Sequence, residues 1–362
     1  PKKKYFAWVH SISKEDVSME LSKKLRFTNK TPRELLLDFS LYIVLAALIA
    51  IIISMDTSFV SPKNFINILA QASTRIIMAC GAAGLIILGG TDLSAGRVLG
   101  LTSLIAASLL QSTTYASRMY PDLPQLPLWL PLIIVIVVGG IFGLINGFGV
   151  AVLKVHAFII TLGTQLVAYG IALIYQQQQA GGAQPIANFD DRYRNLVNGT
   201  VNFTKDIQIP YVVFYAIVVC VIMWIIWNKT QLGKNMYAIG GNIEAAEVSG
   251  VNIVKNILII FLISGILYGL AGYLEAARVG STTSNTGLNY DLDAISASVI
   301  GGVSFSGGIG TIPGVIIGAI ILQFINYGLA YVGVNPNYQY IIKGLIIILA
   351  VAIDVRKYIK RK

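Results

Sequence analysis

Few side chains in this 362-residue sequence are placed to do covalent chemistry. The two histidines are His10, near the start, and His156, beside Lys154, so neither a histidine metal site nor a histidine triad can be assembled. Cys80 and Cys220 each sit in an apolar run, where a thiol packs as a small hydrophobe and implies no disulfide framework. A phosphate-cradling loop needs upstream glycines and a Lys followed by Ser or Thr. Gly233-Lys234-Asn235 lacks both. We therefore expect no enzyme, no metal and no cofactor bound by this chain; if ATP drives it, another chain binds the nucleotide and its Mg.

The polar residues that could handle a solute sit at two Gly-rich interruptions of apolar sequence. The first is Gly89-Gly90-Thr91-Asp92-Leu93-Ser94-Ala95-Gly96 and the second Gly301-Gly302-Val303-Ser304-Phe305-Ser306-Gly307-Gly308. Broken helices bring free amides and carbonyls toward a polar substrate that lipid-facing helices cannot solvate, so Asp92, Ser94, Gly96, Ser304, Ser306 and Gly308 are the expected substrate-path residues. The competing reading of Asp92 is local: its carboxylate caps a half-helix starting near Ser94. Over Gly89–Gln111 and Gly301–Gln323, eight of 23 aligned positions are identical, which suggests a pseudo-repeat of two halves. Shared apolar composition is the alternative.

A third stretch carries its own start and stop signals. Asn242 is a good N-cap, Glu244 complements the dipole of a first turn, and Gly250 is a natural stop, so Ile243 to Ser249 is expected to form a two-turn helix. Ala245 and Ala246 give it a narrow face. An isolated helix this short is marginal in water, so it is expected to dock on something: a partner, or the membrane face of its own chain.

These pieces must be positioned by membrane-spanning helices. With 55% hydrophobic and 12% charged residues, the chain falls outside the soluble class, and lipid leaves helices as the way to satisfy the backbone of repeated apolar runs. The expected fold is an all-α integral membrane protein of about ten transmembrane helices, near residues 36–53, 65–88, 98–110, 128–153, 158–175, 211–227, 257–274, 295–303, 312–331 and 340–353. The third and eighth are too short to span unbroken, and each adjoins one of the Gly-rich breaks. Nine Lys and Arg lie between Lys2 and Arg33 and five between Arg356 and Lys362, which places both termini in the cytoplasm and requires an even number of spans. Residues 1–35 read as a basic cytoplasmic tail, partly helical from Ser18 to Leu25, residues 36–356 as the transmembrane domain, and 357–362 as a basic cytoplasmic end. The basic clusters are juxtamembrane and not interleaved with aromatics, so nucleic acid is not an expected partner. Arg75 and Lys343 fall inside apolar segments and are expected to snorkel near interfaces.

Glu244-Ala245-Ala246 followed by Gly250 resembles the coupling-helix motif of bacterial ABC importer permeases. Gly90 to Arg97, Phe158 to Thr164, Gly301 to Gly308, and Asn326-Tyr327-Gly328-Leu329 followed by Gly333-Val334-Asn335-Pro336 resemble the ribose/galactose permease family, and the likeness runs from Leu41 to the C-terminus. The resemblance implies an inner-membrane importer subunit that works as a homodimer. It also implies cytoplasmic ABC ATPase domains carrying ATP and Mg, a periplasmic or lipid-anchored sugar-binding protein, and a galactose- or methyl-galactoside-like monosaccharide as cargo. Ribose or another small sugar remains open, as does an ion-coupled secondary sugar transporter. That rival calls for intramembrane acids and bases, which the sequence shows sparsely.

Overall fold

The computed structural model describes residues 32–179, 182–204 and 207–359. The proposed Ser18–Leu25 helix and most of the basic tail lie outside the described residues, as do the last three residues. The order is α1 (Pro32–Met55), α2 (Pro62–Ile87), α3 (Ala95–Leu109), α4 (Trp129–Ala151), α5 (Ala157–Gln177), β1 (Ile186–Ala187), α6 (Asp191–Asn198), β2 (Thr200–Asn202), β3 (Gln208–Pro210), α7 (Tyr211–Lys229), α8 (Gln231–Gly241), α9 (Ile243–Val248), α10 (Ile253–Val279), β4 (Ser281–Thr282), α11 (Tyr290–Ile300), α12 (Ile312–Tyr331) and α13 (Pro336–Ile359). Among the described residues, α2, α4, α5, α7, α10, α12 and α13 are long and apolar enough to cross a membrane. Helices α3 and α11 are short, as the sequence leads one to expect. The strands are two- or three-residue pairs, β1 with β4 and β2 with β3.

Helix α2 is the axis of the bundle, with 83% of its apolar window buried. Ser61 starts it by accepting from the Asn64 amide, and Pro62 occupies the first turn, where a missing N–H costs nothing. Around it the helices approach through glycine, because lipid supplies no hydrophobic force between apolar helices and close backbone contact takes its place. Gly139, Gly143 and Gly147 of α4 meet α10 at Gly265 and Phe261: a Cβ on Gly139 would stand 2.2 Å from the Gly265 carbonyl, and one on Gly265 equally close to the Gly139 carbonyl. The outward faces of α4, α5 and α7 carry exposed aliphatic side chains suited to lipid, such as Ile133, Val137, Leu166, Ile217 and Val221.

The described residues between Gln177 and Tyr211 pack as a cap on one end of the bundle. Tyr193 and Val197 of α6 are buried, the Tyr193 hydroxyl donates to the Tyr273 carbonyl, and Asn198 Nδ2 donates to the Ala277 carbonyl at 2.7 Å. Asp190 caps α6 by accepting from the Arg192 amide. The Arg192 guanidinium, 2.7 Å from its carboxylate, and an amide N–H of Gln125 together hold Asp190 down to a pKa of about 2.

Candidate functional site

The short loop helix forms as the sequence implies. Asn242 Oδ1 accepts from the Ala245 amide at 2.9 Å, the helix runs Ile243–Val248, and Ser249 follows as the C-cap. Gly250 adopts φ +82°, a left-handed conformation, and Val251 donates back to the Ala246 carbonyl at 3.1 Å. Ala246 is buried against the chain, whereas Glu244, Ala245 and Gly250 are exposed and Val248 is 90% exposed. One face thus rests on the protein and the rest is open.

What α9 rests on is connected to both Gly-rich breaks. It follows α8 after one residue, and Gly240 near the end of α8 is wedged so tightly that a Cβ there would meet the Ile87 carbonyl and the Gly308 amide. Gly308 in turn donates its amide to the Ile87 carbonyl at 2.8 Å, and the Tyr237 hydroxyl of α8 donates to the Gly310 carbonyl at 2.8 Å. Three backbone segments meet here: the end of α2 leading into the first break, the second break, and the helix that carries α9. No side chain separates them.

The breaks share a chain reversal. Gly89 at φ +84° and Gly302 at φ +86° each close a helix in the same way, with Gly90 donating to Leu85 and Val303 to Ser298. This turn falls one residue out of register with the sequence alignment, and the loops then diverge: α3 begins at Ala95, whereas α12 waits until Ile312. Downstream, Asp92 Oδ1 accepts from the Ser94 amide at 2.8 Å and Ser304 Oγ from the Ser306 amide at 3.1 Å, which does match the alignment.

Asp92 and Ser94 are 2% and 0% exposed. Ser94 Oγ donates to Asp92, Asn146 Nδ2 donates to Ser94 Oγ at 2.9 Å, and Thr164 donates to Asn146 Oδ1 at 2.7 Å, so the first break is tied to α4 and α5. The carboxylate turns the chain just ahead of α3 through Ser94, but it reaches no amide within the helix, and α3 starts without a side-chain cap. Gly96 faces the Gly287 carbonyl, where its absent side chain lets α3 close on the segment before α11. Ser304 is buried, Ser306 is exposed, and Gly308 adopts φ +71°. The sequence-expected residues therefore fall in two places within the protomer, with Gly308 at the joint beneath α8 and α9.

A second polar assembly went unseen in the sequence. Arg75, at the midpoint of α2, pairs with Asp293 of α11 at 3.5 Å and lies 4.5 Å from the Tyr290 ring centroid. Lys343 of α13 reaches the same Asp293 at 3.1 Å. Glu275 of α10, 1% exposed, accepts from Arg278, Thr74 and Tyr290 at 2.7–2.8 Å. Arg75 and Lys343 do not snorkel; each finds an internal carboxylate. One turn along α2, Gln71 Oε1 accepts from Gln323 Nε2 of α12 at 2.9 Å, and one turn further Asn67 donates to the Tyr327 hydroxyl at 3.2 Å. Asn67, Gln71 and Arg75 recur every fourth residue on one helix face, and that spacing inside an apolar segment was the signal available in the sequence.

Residues 64–351 match the family described as branched-chain amino acid transport system / permease component. The galactose/methyl galactoside import permease protein MglC of Escherichia coli is 51% identical over 322 residues, which is 89% of this chain and 95% of that protein. Its Haemophilus influenzae counterpart is 49% identical over 91% and 97%. The ribose import permease protein RbsC of Haemophilus influenzae is 36% identical over 86% and 91%. No solved structure matches.

Proposed function

The chain belongs to the permease-component family of branched-chain amino acid transport systems, and from that premise we propose that it is the membrane-spanning subunit of a bacterial sugar importer, carrying galactose or methyl galactoside. The observation that carries this reading is the 51% identity to a galactose/methyl galactoside permease over 95% of its length, against 36% to a ribose permease. Ribose is the weaker reading for that reason.

The reading extends to parts that follow from the way such importers work. Ten spans with both termini in the cytoplasm put α8 and α9 on the inner side and α6 with its strand pairs on the outer, in line with the distribution of Lys and Arg. Two copies of the chain frame the path in the bacterial inner membrane. ATP and Mg are held by separate cytoplasmic ATPase domains, and a binding protein delivers the sugar to the outer cap. Helix α9, with its open face, is the contact for the ATPase. Its motion passes through Gly240 to Ile87 and Gly308, so the breaks gate the path, and they are related as halves of a repeat. Asp92 and Ser94 hold the first break in shape.

Affinity purification of the tagged chain from native membranes in mild detergent tests this. An ATPase, a sugar-binding protein and two copies of the chain per complex are expected. A chain that purifies alone and moves sugar on an ion gradient contradicts the reading and restores the secondary transporter.

A further inference from the structure

Helix α7 borders a groove on the side of the bundle that no other described residue fills. We propose that this groove, between α7, the middle of α2 and the start of α12, holds one acyl chain of an anionic phospholipid, with the headgroup phosphate on Lys229. The proposal rests on the chain crossing a membrane and not on which solute it carries.

The groove has a volume of about 450 Å³. It follows α7 from Val213 to Trp224, which at 1.5 Å per residue is roughly 16 Å, close to the roughly 15 Å that one leaflet contributes to the hydrocarbon core. Ser73 is the one hydroxyl-bearing side chain in its lining, and that hydroxyl is already used, donating to the Leu69 carbonyl of its own helix at 2.7 Å. A sugar or a file of waters would find no partners there. Ile217, Val221 and Trp224 are exposed along its edge, so it opens sideways, toward the surface that the outward aliphatic side chains of α7 give to lipid. An unfilled space of this size forfeits dispersion contacts along its whole apolar wall, and a flexible hydrocarbon chain restores them.

Charge selects the headgroup. Lys229, in the last turn of α7, holds its ammonium 5.4 Å from the centroid of the Trp224 ring, and Trp224 is the groove's last residue on α7. Lys229 is exposed, has no carboxylate partner among the described residues, and lies in a stretch, residues 207–243, with no Asp or Glu. A Trp with a Lys beyond it at the end of a span is the pair that meets lipid headgroups, and an unpaired cation favours an anionic one. A second copy of the chain is the competing cover. A twofold contact through this face would bring Lys229 of both copies to the same depth, cation beside cation, with no acid on α7 to relieve it.

The site bears on the fold because Ile312 and Pro313 form part of its wall. They begin α12 directly after the second Gly-rich break, where Thr311 accepts from the Gly314 amide to start the helix. A lipid chain seated there braces α12 against α7 where the break ends.

The test uses the full chain in phosphatidylcholine vesicles doped with a lipid brominated along its acyl chains, which quenches tryptophan fluorescence on contact. Trp8→Phe and Trp129→Phe leave Trp224 and the buried Trp227 as reporters. Brominated phosphatidylglycerol is expected to quench about fivefold more effectively than brominated phosphatidylcholine, the preference that one Lys at an anionic surface provides. Lys229→Gln should remove this preference. Ala216→Leu, which fills the groove from its wall, should remove it with the cation still in place, whereas Lys63→Gln, at the far end of α2, should keep it. Equal quenching by the two lipids in the otherwise unaltered chain overturns the site, as does a preference that survives both Lys229→Gln and Ala216→Leu. Quenching that falls as the ratio of chain to lipid rises assigns the groove to a second copy and overturns the proposal as well. None of these results depends on which sugar is carried.

Discussion

At the scale of single residues, Gly250 and Asp190 each hold a conformation that the rest of the chain uses. A Cβ on Gly250 would meet nothing within 4 Å, so substitution there acts through the backbone alone. Left-handed φ costs an L-residue about 1–2 kcal/mol, roughly 5- to 30-fold in the population of the correctly closed α9. Gly250→Val should therefore lower sugar uptake by that order and Gly250→Ala by less, with normal amounts of protein in the membrane. Equal, undiminished uptake in both would show that the turn after α9 is not used. Asp190 carries a pH dependence. Its carboxyl is held down by Arg192 and Gln125 to about 2, below an unfolded value of about 3.9, so the stabilisation is complete above that value and is lost as pH falls through 2. Amide-exchange protection across residues 186–204, corrected for the intrinsic pH dependence of exchange, should fall between about pH 4 and pH 2 in the native chain, and Asp190→Asn should already show low protection at neutral pH with a flatter profile. The cap on α9 was legible because Asn242, Glu244 and Gly250 lie close together in the sequence. Asp293 was not: its partners Arg75 and Lys343 lie 218 and 50 positions away in the chain, and nothing local to α11 announces them.

At the scale of elements, the bundle depends on helices that touch through backbone. Gly265→Leu would push α10 off α4 at the Gly139 carbonyl, an overpacking of about 1–3 kcal/mol or more. A melting temperature lowered by several degrees in detergent is the expected result, with Gly163→Leu, which faces open space, as the unaffected control. Glu244 lies on the open face of α9, so Glu244→Lys should leave melting unchanged and weaken copurification of the ATPase. Retained copurification would place the contact elsewhere. Helix existence was legible from apolar runs because lipid permits little else. The ends were less so. Segments three and eight announced their shortness through Gly-rich flanks, but that the second break folds against Ile87 and Gly240 could not be read from a segment lacking any side-chain pattern. The segment between α5 and α7 sets Arg192, Arg194 and Lys205 against Asp190, Asp191 and Asp206 in the sequence, a balance that says nothing of packing; buried Tyr193 and Val197 make its described part a packed cap.

At the scale of the whole molecule, the two ends of the bundle differ in kind. One carries α8, α9 and the joint with both breaks; the other carries α6 and the β2–β3 pair. A Cys placed at Asn202 should react with an impermeant thiol reagent on spheroplasts, and one placed at exposed Lys234 should react only after the membrane is opened. Reversed labelling would invert the orientation and with it the assignment of α9 to the ATPase. ATP hydrolysed on a partner is proposed to move sugar through this chain by way of α9. The most direct test is sugar accumulation in proteoliposomes holding the complete importer, with ATP and Mg supplied on the α9 side and no ion gradient. Galactose concentrated inside against its gradient, requiring the binding protein and lost with Gly250→Val, is the expected result; accumulation on a proton or sodium gradient with no ATPase present would contradict it.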